Sequence, residues 1–160
     1  MAHTACHLAA LALDAALAEA WSKDPGTDPL GAPAFDRLAI ERSRIHPFHS
    51  EDVYRVGKSL RKKGFDPKVL EDPESLEHRM DATLAAWVGA SAPVRIERAG
   101  EGLGDRRRWV CELPEGEVGI PCGGTHARST AELGRVAIHL RTEALEGALR
   151  LTMVTAVRPA

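Results

Sequence analysis

Four residues able to ligate a metal stand in two tight pairs far apart in the chain, and a fold that uses both pairs together has little freedom left. The first pair lies in His3-Thr4-Ala5-Cys6-His7 and the second in Cys122-Gly123-Gly124-Thr125-His126. Tetrahedral zinc takes four donors, typically histidine nitrogen and cysteine thiolate, so the two pairs make one complete set. Serving a single ion would require the first helix to pack against a loop more than a hundred residues later.

Local spacing supports each half. Residues 3–21 read as an alanine-rich helix, with Leu8, Leu11, Ala15 and Ala18 at helical spacing and Trp21 near its end. His3 and His7 are then one turn apart on one face, separated by about 40°. The His-x-x-x-His spacing also serves zinc proteases, but Thr4 replaces their glutamate base, so that chemistry is excluded. In the second pair, Gly123 and Gly124 let the backbone bend tightly between thiolate and imidazole.

The chain has 160 residues, 44% of them hydrophobic and 28% charged, which is long and apolar enough for one core-bearing domain over 1–160. Aromatic residues are only 4%, so the core is built from Leu, Val, Ile and Ala. A net charge of −2 excludes a global polycation, and contact with nucleic acid would need a local basic patch. Three widely spaced cysteines do not form a disulfide framework and fit a reducing compartment. No run approaches the roughly 18 apolar residues of a membrane span, and no basic leader opens the chain. The expectation is a soluble, cytoplasmic protein without membrane or DNA partners, a monomer or weak homodimer.

Ser22 to Pro33 is a loop dense in Pro, Gly and Asp. Leu38–Ile45 and Glu51–Lys58 read as strands forming a hairpin around His46-Pro47-Phe48-His49, and Ser59–Gly64 as a basic segment ending on glycine. Asp66-Pro67 opens a short helix, and Asp72-Pro73 a longer one carrying Leu76, Met80, Leu84, Trp87 and Val88. Strands follow at 93–98, 107–113, 117–120, 135–141 and 148–157. The predicted class is α+β, two-layer, with the long N-terminal and central helices packed on a largely antiparallel sheet of about six strands.

The segment His3-Thr-Ala-Cys-His7-Leu, taken with Pro121-Cys-Gly-Gly-Thr-His126-Ala-Arg-Ser-Thr-Ala-Glu-Leu-Gly134, resembles the editing domain of alanyl-tRNA synthetases and the freestanding AlaX trans-editing proteins. The match covers about twenty residues at the two ends of the site; the strand–helix–strand middle is generic. Only two residues precede His3, so the likeness is to the short form without the family's preceding barrel. Cys6 stands where the family often has Thr, Ala131 replaces a common Gly, and the 40–70 segment departs from the family average. The resemblance implies zinc (Zn2+) bound by His3, His7, Cys122 and His126. It also implies an aminoacylated tRNA partner and hydrolysis in trans of a mischarged aminoacyl ester, Ser or Gly on tRNA for Ala. The alternatives are the same deacylation of a Thr-like or non-protein amino acid, a non-catalytic zinc-structured tRNA-binding module, and a hydrolase of free or carrier-bound aminoacyl esters.

An activated ester needs a positioned water and charge stabilisation more than a strong nucleophile, and no spacing suggests a covalent intermediate. The general base is left open among His46, His49 and Glu132, with Thr125 a further member of the catalytic group. Thr4 is a candidate to hydrogen-bond the substrate, and Gly123 and Gly124, with Thr125, to offer backbone donors to an oxyanion. Arg61, Lys62 and Lys63 head a basic stretch with Arg55, Lys58 and Lys68, and Arg106-Arg107-Arg108 forms a second; both are candidates for phosphate contact. Cys6 reads as packing rather than a fifth ligand, and His78 and His139 as surface or core residues.

Overall fold

The computed structural model describes residues 1–160, with four α-helices and seven strands. The first helix, α1 (Ala2–Ala16), is buried on nearly every side, from Ala5, Leu8 and Ala9 to Ala12 and Leu13. An alanine-rich helix allows this, because small side chains let neighbours approach from several directions. It packs on α4 (Pro73–Gly89) and on strands β2 (His49–Val56) and β7 (Ala148–Arg158).

The helix stops earlier than its alanine run suggests. Leu17 breaks the α geometry, Ala18–Ala20 is a 3-10 turn, and Trp21 is already extended. Trp21 forms a β-bridge with Phe65, and the two rings lie 5.0 Å apart. That long-range pairing overrides local propensity.

The strands divide into two antiparallel sheets rather than one. The larger has the order β1-β2-β7-β6, with β1 (Ile40–Ile45) and β6 (Arg135–Leu145) at its edges. The smaller is β3 (Val94–Arg98), β4 (Arg107–Leu113) and β5 (Gly116–Pro121) in sequence order. The α+β class and the hairpin around His46–His49 stand as expected. The residues from Leu38 do not: Phe35–Ala39 forms the short helix α2, because Phe35 and Ala39, four apart, are both buried. The basic segment after β2 contains another short helix, α3 (Lys58–Lys62), anchored by buried Leu60.

Both Asp-Pro signals work as read. The Asp66 carboxylate accepts from Lys68 N–H at 3.0 Å, and that of Asp72 from Ser75 N–H at 3.2 Å. From α4, Asp81 and Glu77 accept the N–H groups of Ile138 (2.9 Å) and Leu140 (2.7 Å). The helix thereby satisfies donors along an edge strand that would otherwise stay open for pairing.

Candidate metal centre

The two pairs meet. One ligand atom from each of His3, His7, Cys122 and His126 lies within 4.8 Å of every other, so the group can hold a metal ion. Cys122 Sγ is 3.2 Å from His3 Nε2 and 3.3 Å from His126 Nε2. Donors around tetrahedral zinc stand about 3.5 Å apart, given bond lengths of roughly 2.0–2.3 Å. The His3 ring centroid is 4.9 Å from that of His7 and 4.4 Å from that of His126.

Helix α1 supplies the first two donors and the loop after β5 the others. Three features fit the group to a metal. His7 Nε2 is buried with no hydrogen-bond partner, a condition few buried polar atoms tolerate. A Cβ at Gly124 would collide with the His3 imidazole, so the glycine makes room for that ring. Gly124 N–H also donates to Cys122 Sγ at 3.4 Å, a contact that fixes the sulfur on the ligand loop.

Electrostatics keep the rings neutral and able to ligate. Burial, then the neighbouring His3 and His126, push His7 down to about 3. Burial, then His3 and the chain amino group, push His126 down to about 4, and His3 is lowered by burial and the same amino group. A neutral imidazole is the form that binds metal.

Around the donors, Thr4 is fully buried. Its Oγ1 accepts from Ala127 N–H at 3.0 Å and lies 3.1 Å from His126 Nδ1. The hydroxyl is therefore engaged by the ligand loop, which it supports. Trp109 of β4 packs its ring 4.9 Å from His7 and 5.9 Å from His126, closing one side. Beside His7 a cavity of about 500 Å³ is bounded by His7, Asp14, Asp36, Arg37, Ile120 and Pro121. Asp14 accepts from Asp36 N–H at 2.8 Å, and burial raises its carboxyl to about 9, so it is protonated at neutral pH. Nothing in the composition marked it, but an acid seven residues after His7 on an apolar helix face was the available signal.

The other expected residues fall outside the donor group. His46 and His49 stack on each other at the β1–β2 turn, with centroids 4.4 Å apart, and both are exposed. Glu132 lies in a 3-10 turn (Thr130–Leu133), where its carbonyl accepts from Ala160 N–H at 3.4 Å. Thr125 is exposed on the ligand loop. Gly124 N–H is committed to the Cys122 sulfur and is not free for an oxyanion, while Gly123 N–H has no partner within the chain.

Arg61, Lys62 and Lys63 lie in and just after α3, next to the segment that follows α1, where Lys23 Nζ donates to the Lys62 carbonyl at 3.2 Å. From His3 to its last residue, Ala16, helix α1 rises about 20 Å. Cys6 Sγ lies 3.6 Å from the Asp52 carboxylate, and burial, then that charge, raise the thiol to about 12, so it is packed as a neutral group. His78 is exposed, and so is His139, which pairs with Glu77 at 3.2 Å.

No helix is long and apolar enough to cross a membrane. Comparison with known proteins finds no family model and no curated protein that matches this chain.

Proposed function

We propose that the protein is a zinc-dependent aminoacyl-tRNA deacylase that hydrolyses, in trans, the ester of a mischarged amino acid. One observation carries the reading: three imidazoles and a thiol converge from the helix His-x-x-x-His and the Cys-x-x-x-His loop. These are the residues that the resemblance to the alanyl-tRNA synthetase editing family designates as ligands. A mixed nitrogen and sulfur donor set suits zinc better than magnesium, calcium or manganese.

When bound, zinc supplies positive charge that polarises an ester carbonyl or lowers the pKa of a water. The chain's own residues supply the rest. The cavity beside His7 offers room for an aminoacyl group against Ile120 and Pro121. Protonated Asp14 lines that cavity as a neutral group beside Asp28. Gly123 N–H and the Thr125 hydroxyl, on the exposed ligand loop, are free to meet a developing oxyanion.

The test is deacylation of a panel of charged tRNAs, including Ser-, Gly- and Thr-tRNA, with and without a chelator. Chelator-sensitive turnover of at least one ester is expected; no turnover of any aminoacyl ester overturns the proposal. A second reading is favoured by the donor count, since four protein ligands make a closed site of the structural type. In that case Cys122→Ala unfolds the protein. A folded Cys122→Ala variant without activity supports the enzyme.

A further inference from the structure

The smaller sheet carries arginines on both faces, and the two faces differ in how those charges are met. On the outer face Arg95 is held by Glu97 (2.9 Å), Glu112 (2.9 Å) and Glu117 (3.1 Å), and Arg108 by Glu97 (3.4 Å). The inner face is that of Ile96 and Trp109, which oppose each other across the β3–β4 ladder. Two residues further along each strand, the same face carries Arg98 opposite Arg107. Like charges placed directly across a ladder repel. Neither Arg98, Arg106 nor Arg107 has a carboxylate within 4.0 Å.

This cationic pair adjoins the metal centre. Trp109 packs on His7 and His126, so the inner face is the one turned toward the donors. Cys122 N–H donates to the Arg107 carbonyl at 3.1 Å. At this end of the sheet a groove of about 340 Å³ is lined by Arg98, Arg106 and Arg107, together with the outer-face pair Glu97 and Arg108 and with Pro121. Pro121, the last residue of β5, also bounds the cavity beside His7, so groove and cavity share a wall residue next to Cys122.

We infer that Arg98 and Arg107 form an anion site that takes a phosphodiester of single-stranded RNA beside the metal centre. The inference rests on the deacylase reading for its choice of anion. In an aminoacylated RNA the last phosphodiester is one nucleoside away from the ester, so an anion site next to the metal loop is what that substrate requires. Guanidinium groups meet phosphate oxygens with paired N–H donors, and a phosphate between Arg98 and Arg107 relieves their mutual repulsion. The Arg61, Lys62 and Lys63 cluster, next to the segment that follows α1, has no part in this contact.

The experiment measures binding of a fluorescein-labelled single-stranded RNA oligonucleotide by anisotropy across a salt titration. The proteins are the wild type, Arg98→Gln/Arg107→Gln, and Arg61→Gln/Lys62→Gln/Lys63→Gln. The double variant is expected to bind about tenfold more weakly. Its log–log salt slope should be shallower by about 1.4, from two lost phosphate contacts at ~0.7 each. Its melting temperature and zinc content should match the wild type, and the triple variant should bind as the wild type does. Wild-type affinity and slope in the double variant overturn the site. Full competition by inorganic phosphate at the concentration of the oligonucleotide also overturns it, by showing a free-anion site. Failure of the two readings is separable. A wild type that deacylates nothing but binds RNA through Arg98 and Arg107 keeps the anion site and removes the enzyme. Deacylation with KM unchanged in the double variant does the reverse.

Discussion

Thr4 and His126 are 122 positions apart in sequence and joined side chain to side chain, Oγ1 to Nδ1, at 3.1 Å. The same oxygen accepts from Ala127 N–H at 3.0 Å. When Nδ1–H donates to Thr4, the lone pair of His126 Nε2 is left facing Cys122, which is the tautomer a metal needs. Thr4→Val is expected to weaken zinc binding by about 10–100-fold, the usual effect of removing such a support. It should also destabilise the fold by ~1–3 kcal/mol, because Ala127 N–H loses its acceptor. Thr4→Ser restores both. Chelator competition and thermal melts of the three proteins check this, and zinc affinity in Thr4→Val equal to wild type would refute it.

Gly123 and Gly124 are neighbours with different constraints. A Cβ at Gly124 collides with the His3 ring, whereas one at Gly123 meets nothing within 4 Å. Gly124→Ala should displace His3 and lower zinc affinity by about tenfold or more, while Gly123→Ala leaves it unchanged. Isothermal titration of zinc into both metal-free variants decides it. Equal affinities would mean that the His3 ring is not fixed by its approach to Gly124.

The lowered histidine pKa values give stability a direction with pH. His7 titrates at about 3 in the folded state and near its ordinary 6.5 when unfolded. Between those values the unfolded chain binds the proton and the folded one does not, so stability falls as pH drops below 6.5. Relative to His7→Asn, the metal-free wild type should lose melting temperature steadily from pH 6.5 toward pH 4. A difference that stays flat with pH would show that His7 is not buried as a neutral ring.

Asp14 has the opposite sign. Burial raises its carboxyl to about 9 from 3.8, so stability is present at low pH and declines as pH rises from about 4 toward 9. Asp14→Asn keeps a carbonyl to accept from Asp36 N–H and removes the titration. The variant should match the wild type near pH 4. At pH 8 it should exceed the wild type by about 1–2 kcal/mol, roughly 2–8 °C in melting temperature. Denaturant titrations at the two pH values test it, and a wild type more stable than the variant at pH 8 would contradict it.

What the sequence determined by itself is chemistry and local geometry. The four donors are named by residue type and spacing, and the helix starts at Asp66-Pro67 and Asp72-Pro73 are set by side chains capping the backbone two or three residues on. Those signals act within a turn, so they are legible without a fold. Long-range register is not. The division of strands into two sheets was decided by packing across the core. The early end of α1 was decided by the Trp21–Phe65 bridge. Thr4 became a support of the ligand loop because α1 buries it there, and Arg107 was brought beside Cys122 by the β4–β5 ladder. Pairings of this kind depend on which surfaces exclude water together, and only the assembled chain specifies that.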